Sequence, residues 1–231
     1  MVTETGSGNP TPGGGYVRAA LRNMDTTTRG LYANMINTFD NNGDKGNGRA
    51  LGLAMAEAYR YYSAGDVYGG IKKKRDYATN TGGDAATRAV HALPGNALAT
   101  SGSTRYTSPI LDSCQKNFII YIGNTTAGGN VAKDNTNDNK EALALLTNEL
   151  TKHGAGAPTE IPISPVADSG NWANEWARFM KSTSSLSIST YTIDVAMKGG
   201  DPNNSALLRS MAAEGGGKYF FINGNADTVG G

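Results

Sequence analysis

The spacing of apolar residues along the chain switches between a helical and a strand-like period. Leu31, Met35 and Phe39 recur every four positions, and Leu51, Met55 and Tyr62 fall on one face of a second segment. Such spacing is typical of amphipathic helices. This spacing predicts helices within residues 25–39, 49–62, 138–154, 171–182 and 203–217. Asp25 or Thr26 is the candidate N-cap of the first of these helices, and Gly154 is the predicted glycine stop of the third.

Short runs of β-branched and aromatic residues separate these helices. They predict strands at residues 118–122, 187–197 and 218–222, and a short strand or edge segment within residues 16–24. Helices that alternate with strands favour a parallel sheet that is covered by helices on both faces. The predicted fold is therefore α/β, a Rossmann-like, doubly wound, mostly parallel sheet flanked by helices.

The pattern also divides the chain into regions. Residues 1–15 are rich in glycine, proline and threonine and are predicted to be a disordered linker. One domain is predicted over residues 16–231. Residues 63–108 carry few apolar positions and a basic run at residues 72–75, so we interpret them as a long irregular surface insertion.

Composition narrows the range of functions. The chain has 231 residues, 31 of them glycine, a net charge of +1 and 18% charged residues, so no charge excess steers it towards nucleic acid or an anionic membrane. No stretch has the roughly 20 apolar residues that a membrane helix needs. Cys114 is the one cysteine. It is interpreted as a small buried residue before a strand, or else as half of a bridge whose other half lies outside this sequence.

Motifs for catalysis and for cofactors are incomplete. The segment "GDKGNGRA" has Arg49 where a phosphate loop has lysine, and Ala50 where the magnesium-binding hydroxyl stands. The segment "DNNGD" begins like a calcium loop but has Lys45 in place of the required glycine. His91 and His153 are isolated. We expect no enzyme activity and no cofactor, although a Rossmann-like sheet alone leaves an enzyme or nucleotide binder open.

Aromatic residues also recur at helical spacing. Trp172, Trp176 and Phe179 are interpreted as core residues, with an exposed aromatic platform for a ligand as the alternative.

Several segments together resemble one family. "SPILDSCQKNFIIYIGN", "ISTYTIDV" and "ALLRSMAAEGGGKYFFINGNAD", preceded by "MINTF…GRALGLAMAEAYRYYSAG", resemble the von Willebrand factor A-like domain of type IV pilus tip adhesins of the PilY class. The resemblance implies a doubly wound sheet and often a metal-ion-dependent adhesion site. The Asp-x-Ser-x-Ser loop of that site has no counterpart here, its threonine falls on or beside Arg49, and its aspartate falls on Asn124. A divalent cation is therefore not expected.

The family's first strand, the following helix and strand, and a final helix also lack counterparts. The resemblance implies a partial domain, either exported as part of a longer precursor or completed by another chain. We expect a non-enzymatic adhesion or assembly module at the surface of a bacterium, binding protein or glycan through loops at the carboxyl edge of the sheet. The alternative is a structural subunit of a pilus or another extracellular complex, whose sheet a partner chain completes. The candidate ligand-loop residues are Asn42, Asp44, Arg49, Asn124, Thr125, Thr126 and Asp201.

Overall fold

The computed structural model describes residues 2–4, 14–37, 50–68, 97–99, 103–126, 134, 136–164, 171–197 and 200–224. The chain divides into two compact units, Met1–Gln115 and Lys116–Gly231. The prediction of one domain over residues 16–231 stays a prediction.

The first unit combines a small hairpin with two helices. Strand β1 (Val2–Glu4) pairs antiparallel with strand β2 (Gly15–Val17), so residues 2–4 form a strand where the sequence predicted a linker. Helices α1 (Thr26–Asn37) and α2 (Leu51–Tyr62) follow. The predicted cap at Asp25 is confirmed, because its Oδ1 accepts a hydrogen bond from the Thr28 backbone N–H at 2.8 Å. That bond is the main cause of the lowered pKa of Asp25.

The core of this unit includes a few residues of the segment 63–108, of which residues 69–96 and 100–102 lie outside the described residues. Its buried cluster is made of Val17, Ala20, Tyr61, Ala97, Leu98 and Tyr106. The last three lie in the segment 63–108 that was predicted to be a surface insertion. Glu57 lies beside them, and its carboxylate accepts a hydrogen bond from the Tyr106 hydroxyl at 2.5 Å. The sequence pattern missed these positions because isolated apolar residues in a polar segment show no period.

The second unit is built on a parallel sheet. In chain order it contains strand β3 (Phe118–Thr126), helix α3 (Thr136–Lys152), helix α4 (Ala173–Arg178), strand β4 (Ser189–Met197), helix α5 (Pro202–Glu214) and strand β5 (Gly216–Gly224). Helix α4 continues into a π-helical turn at Phe179–Thr183. The strands lie in the order β3-β4-β5 and all run parallel. A mixed α/β class with a parallel sheet is thus confirmed, while helices on both faces stay a prediction.

Two backbone features fix the ends of these elements. Gly154 has φ +66° two residues after the end of α3, which confirms the predicted glycine stop. Gly217 is the second residue of β5 and lies very close to β4, because a Cβ at this position would lie 2.0 Å from the Thr190 carbonyl oxygen. Only glycine fits this approach.

The helical layer of the second unit has an aromatic centre. Trp176 and Phe179 are buried, and their rings meet edge to face at 5.6 Å between centroids. The Trp176 indole N–H donates to the Ala142 carbonyl oxygen in α3 at 3.2 Å. The interpretation of Trp176 and Phe179 as core residues is therefore confirmed, whereas Trp172 is half-buried at the start of α4.

Candidate functional site

The predicted ligand-loop residues have different positions in the structure. Asn42, Asp44 and Arg49 lie outside the described residues. Asn124, Thr125 and Thr126 were predicted to lie in a loop, but their backbone forms the last positions of β3 and pairs with Val195–Met197 of β4. Strand β3 runs on past Ile122 because the equally long β4 continues the ladder beside it.

Asp201 caps a helix. It precedes Pro202 at the start of α5, and its Oδ1 accepts hydrogen bonds from the backbone N–H groups of Asn203 at 2.9 Å and Asn204 at 3.1 Å. It is 4% exposed. These bonds satisfy two of the N–H groups that a helix start leaves open, so the local structure accounts for this carboxylate without a ligand.

We expect Asp201→Ala to lower the free energy of unfolding by about 1 kcal/mol, since an N-cap side chain contributes about 0.5–2 kcal/mol. Asp201→Asn keeps a capping oxygen and should stay close to the parent chain. Urea unfolding followed by tryptophan fluorescence would check both variants, because Trp172 and Trp176 lie in the second unit. An alanine variant as stable as the parent would contradict the capping role.

Strand β4 carries polar side chains on the face that packs against the helices. Thr190, Thr192 and Asp194 alternate along β4 towards the helices and are fully buried. The Thr192 hydroxyl donates to the Leu208 carbonyl oxygen of α5 at 2.8 Å. The Asp194 Oδ2 accepts from the Ser205 hydroxyl at 2.5 Å and from the Tyr219 hydroxyl at 3.0 Å. The helix-covered face of β4 is therefore polar and held by hydrogen bonds.

Asp194 was not among the candidate residues. Its Oδ1 is buried and has no hydrogen-bond partner among the described residues. Burial raises the pKa of Tyr219, which also contacts Arg209 through its ring at 5.0 Å. Because the hydroxyl donors come from α5 and β5, this cluster joins three elements. The alternation Thr-x-Thr-x-Asp in β4 was the available sequence signal for it.

The opposite face of the sheet is apolar and uncovered among the described residues. Phe118, Ile120 and Ile122 on β3 are 47%, 63% and 65% exposed, and Phe220 and Ile222 on β5 are 49% and 51% exposed. Between them, alternate residues of β4 are half-buried. We call this surface the open face; its members are Phe118, Ile120, Ile122, Tyr191, Ile193, Val195, Lys218, Phe220 and Ile222.

The strand register assembles the open face into a continuous patch. Ile122 lies beside Ile193, and Ile193 lies beside Phe220. The rings of Phe118 and Tyr191 lie 6.0 Å apart. Parallel strands are normally buried on both faces. On β4 the polar Thr190, Thr192 and Asp194 face the helices, whereas Tyr191, Ile193 and Val195 belong to the open face. On β5 the other side also carries an exposed apolar residue, since Phe221, which pairs with Asp194, is 48% exposed.

The outer strands also offer free edges. Within the described part of the chain, β3 and β5 each pair with β4 alone. An outer strand presents backbone N–H and C=O groups that can accept a further strand.

No match is found in comparisons with protein-family models, with curated proteins and with solved structures. The described residues contain no group of three or more His, Cys, Asp or Glu side chains placed to hold a metal ion. Within that same part of the chain, no helix has the length and apolarity needed to cross a membrane.

A smaller polar site lies within the helical layer. A cavity of about 190 Å³ is bordered by α3, α4 and the segment 155–159, with Leu146, Glu175 and Phe179 in its wall. Glu175 is 2% exposed, and its Oε1 accepts a hydrogen bond from the Ile161 N–H at 2.6 Å. Burial raises the pKa of Glu175 to about 7. The carboxyl group therefore gains its proton near neutral pH.

Polar side chains of helix α4 bind the preceding chain segment and helix α5. Besides Glu175, the Arg178 guanidinium donates to the Thr159 carbonyl oxygen at 2.8 Å. The Asn174 amide donates to the Ser210 hydroxyl of α5 at 3.0 Å. These contacts give each of the three side chains a structural role in the helical layer.

Cys114 corrects a further prediction. It is exposed, not buried, and its backbone N–H donates to the Asp112 Oδ1 at 2.7 Å in a turn before β3.

Proposed function

We propose that the chain is a non-enzymatic assembly or adhesion module of a bacterial surface filament of the type IV pilus tip kind. In this proposal it binds a partner subunit through the open face. The observation that carries the proposal is the patch of apolar side chains that parallel strands β3, β4 and β5 leave uncovered. Contiguous apolar patches on a soluble protein mark interaction sites.

The energetics support a protein partner. Fully burying an isoleucine or phenylalanine side chain contributes about 1.5–3 kcal/mol, so covering half-exposed ones such as Ile120, Ile122 and Phe220 is favourable for each residue. A glycan offers mainly hydroxyl groups and would gain little from this surface. The open face therefore favours assembly over ligand binding through the loops at the carboxyl edge.

The family resemblance supplies the filament context. It supports an extracellular, pilus-associated location, a von Willebrand factor A-like doubly wound fold, and other subunits of the filament as partners. In that fold helices lie on both faces of the sheet, so the uncovered face is where a further layer belongs. Because Arg49 and Asn124 occupy two of the family's metal-site positions, the proposal includes no cation.

The double variant Ile120→Ser/Ile122→Ser tests the role of the open face. We expect it to abolish incorporation of the chain into surface filaments purified from the native cells. In the purified chain it should lower the fluorescence of an apolar dye such as ANS at least twofold. Leu111→Ser is the matched control, because Leu111 is 91% exposed but lies outside the open face. Its incorporation and dye binding should stay unchanged.

A measurement of the stability of the double variant separates a folding defect from a loss of binding. Both isoleucines are exposed, so the double variant should unfold at about the same urea concentration as the parent chain. A folded double variant that still enters filaments at the parent level would contradict the proposed function.

A further inference from the structure

We propose that the open face binds one amphipathic α-helix of a partner protein, and that an acidic side chain of this helix pairs with Lys218. The inference rests on the proposed function and names the partner's chemistry. It follows from the dimensions, the composition and the charge of the open face.

The dimensions of the open face fit one helix. Neighbouring strands are about 4.8 Å apart, so the outer strands β3 and β5 lie about 10 Å from each other across the face. An α-helix with its side chains is about 10–12 Å wide, so one helix spans the three strands. From Phe118 to Ile122 the apolar row on β3 is about 13 Å long, which about nine helical residues match at 1.5 Å each.

The composition of the open face also favours a helix. Each strand contributes alternate residues, and those of β3 and β4 are β-branched or aromatic. Layers that cover parallel sheets are helices, because the connections between parallel strands place helices there and each helix satisfies its own backbone hydrogen bonds. The partner helix would need an apolar stripe at positions i, i+3, i+4 and i+7.

Lys218 distinguishes a helical partner from a second copy of this chain. It is exposed, and it lies beside Tyr191 of the open face, because the register shift between Thr190 and Thr192 leaves Gly217 and Lys218 opposite Tyr191. The open face contains no acidic residue. Two open faces packed against each other would cover Lys218 without offering it a carboxylate, which is unfavourable. A partner helix that carries Glu or Asp at the end of its apolar stripe nearest Lys218 offers the missing carboxylate and removes this cost.

The test uses the full chain and three labelled synthetic peptides of equal length. The first has an apolar stripe with a glutamate at one end, the second has lysine in place of that glutamate, and the third has the composition of the first in shuffled order. Fluorescence anisotropy measures their binding. We expect the shuffled peptide to bind at least tenfold more weakly than the first, and Ile122→Ser to weaken binding of the first by a similar factor.

A comparison of the glutamate and lysine peptides tests the pairing with Lys218. The lysine peptide should bind about threefold more weakly than the glutamate peptide, in the range of exposed ion pairs. This difference should disappear in Lys218→Ala. Leu111→Ser should bind all three peptides as the parent chain does. A glutamate-to-lysine effect that persists in Lys218→Ala would overturn the proposed pairing.

Other outcomes identify other occupants. Equal binding of the striped and shuffled peptides would overturn the helical partner, while loss of the double variant from filaments would still support the proposed function. Self-association that Ile122→Ser abolishes, without peptide binding, would assign the face to a second copy. Hydroxyl-radical labelling of Phe118 and Phe220 should be strong in the monomer. Protection there would show that the chain itself covers the face, and would overturn both proposals.

Discussion

Trp176→Ala is expected to lower the free energy of unfolding of the second unit by about 3–5 kcal/mol, the usual cost of replacing a buried aromatic side chain with alanine. Trp176 is 1% exposed, packs edge to face on Phe179 and donates its indole N–H to the Ala142 carbonyl oxygen. The variant therefore leaves a cavity between α3 and α4 and removes the hydrogen bond from the indole to the Ala142 carbonyl oxygen. Urea unfolding followed by the fluorescence of Trp172 would measure the loss.

Trp172→Phe is the matched control for this experiment. Trp172 is half-buried at the start of α4, so a phenylalanine there keeps most of the contact area. We expect a loss well below that of Trp176→Ala, with Trp176 as the fluorescent reporter. If Trp176→Ala cost no more than Trp172→Phe, the aromatic centre of the helical layer would not be the main source of its stability.

Glu175→Gln is expected to remove most of the pH dependence of stability in the second unit. Burial raises the pKa of Glu175 from 4.5 to about 7, with Glu160 acting in the same direction and the Ile161 N–H and Arg178 opposing it. The folded chain thus keeps this proton up to about pH 7, whereas the unfolded chain releases it near pH 4.5. Stability contributed by the protonated form is present at low pH and is lost as the pH rises through this window.

The expected size of this pH effect follows from the pKa shift of Glu175. Each pKa unit corresponds to about 1.4 kcal/mol, so the parent chain should lose about 3 kcal/mol between pH 4.5 and pH 7.5. The glutamine variant should match the parent near pH 4.5 and exceed its stability by up to that amount at pH 8. Glu149→Gln, which removes the ion pair of Glu149 with the exposed Lys152, is the control and should keep the parent's slope. A parent chain whose stability rises with pH over this range would refute the prediction.

The sequence correctly predicted the elements in which the spacing of apolar residues agrees with the way the element packs. Helices α3 and α5 and strand β4 begin and end within two or three residues of their predicted limits. Gly154 and Asp25 act through local backbone geometry, so the sequence near each of them was enough. The order of helices and strands also predicted that the sheet is parallel.

Other features depend on partners distant in the sequence. Asn124–Thr126 look like a polar loop, yet they extend β3 because β4 continues beside them. Ala97, Leu98 and Tyr106 become core residues only through contact with Tyr61 and the hairpin. Asp194 is buried on account of hydroxyl donors from Ser205 and Tyr219, which the alternation in β4 alone does not identify.

The candidate surface was missed for a similar reason. An apolar run such as residues 118–122 predicts a strand that is buried on both sides, and the sequence contains no information on which side remains without a layer. Only the exposure of Ile120 and Ile122 in the folded unit shows this. Asp201, by contrast, was a ligand candidate from its place in a loop at the carboxyl edge of the sheet, and the structure explains it as an N-cap.

The sequence and position of strand β3 affect the solubility of the isolated chain. Residues 118–122 combine high β propensity with no charge and no proline, and they lie on an outer strand. Segments of this kind stack into fibrils when they meet copies of themselves. The exposed Lys116 just before the strand offers only slight protection by charge repulsion. The isolated chain is therefore expected to self-associate through β3 as its concentration rises.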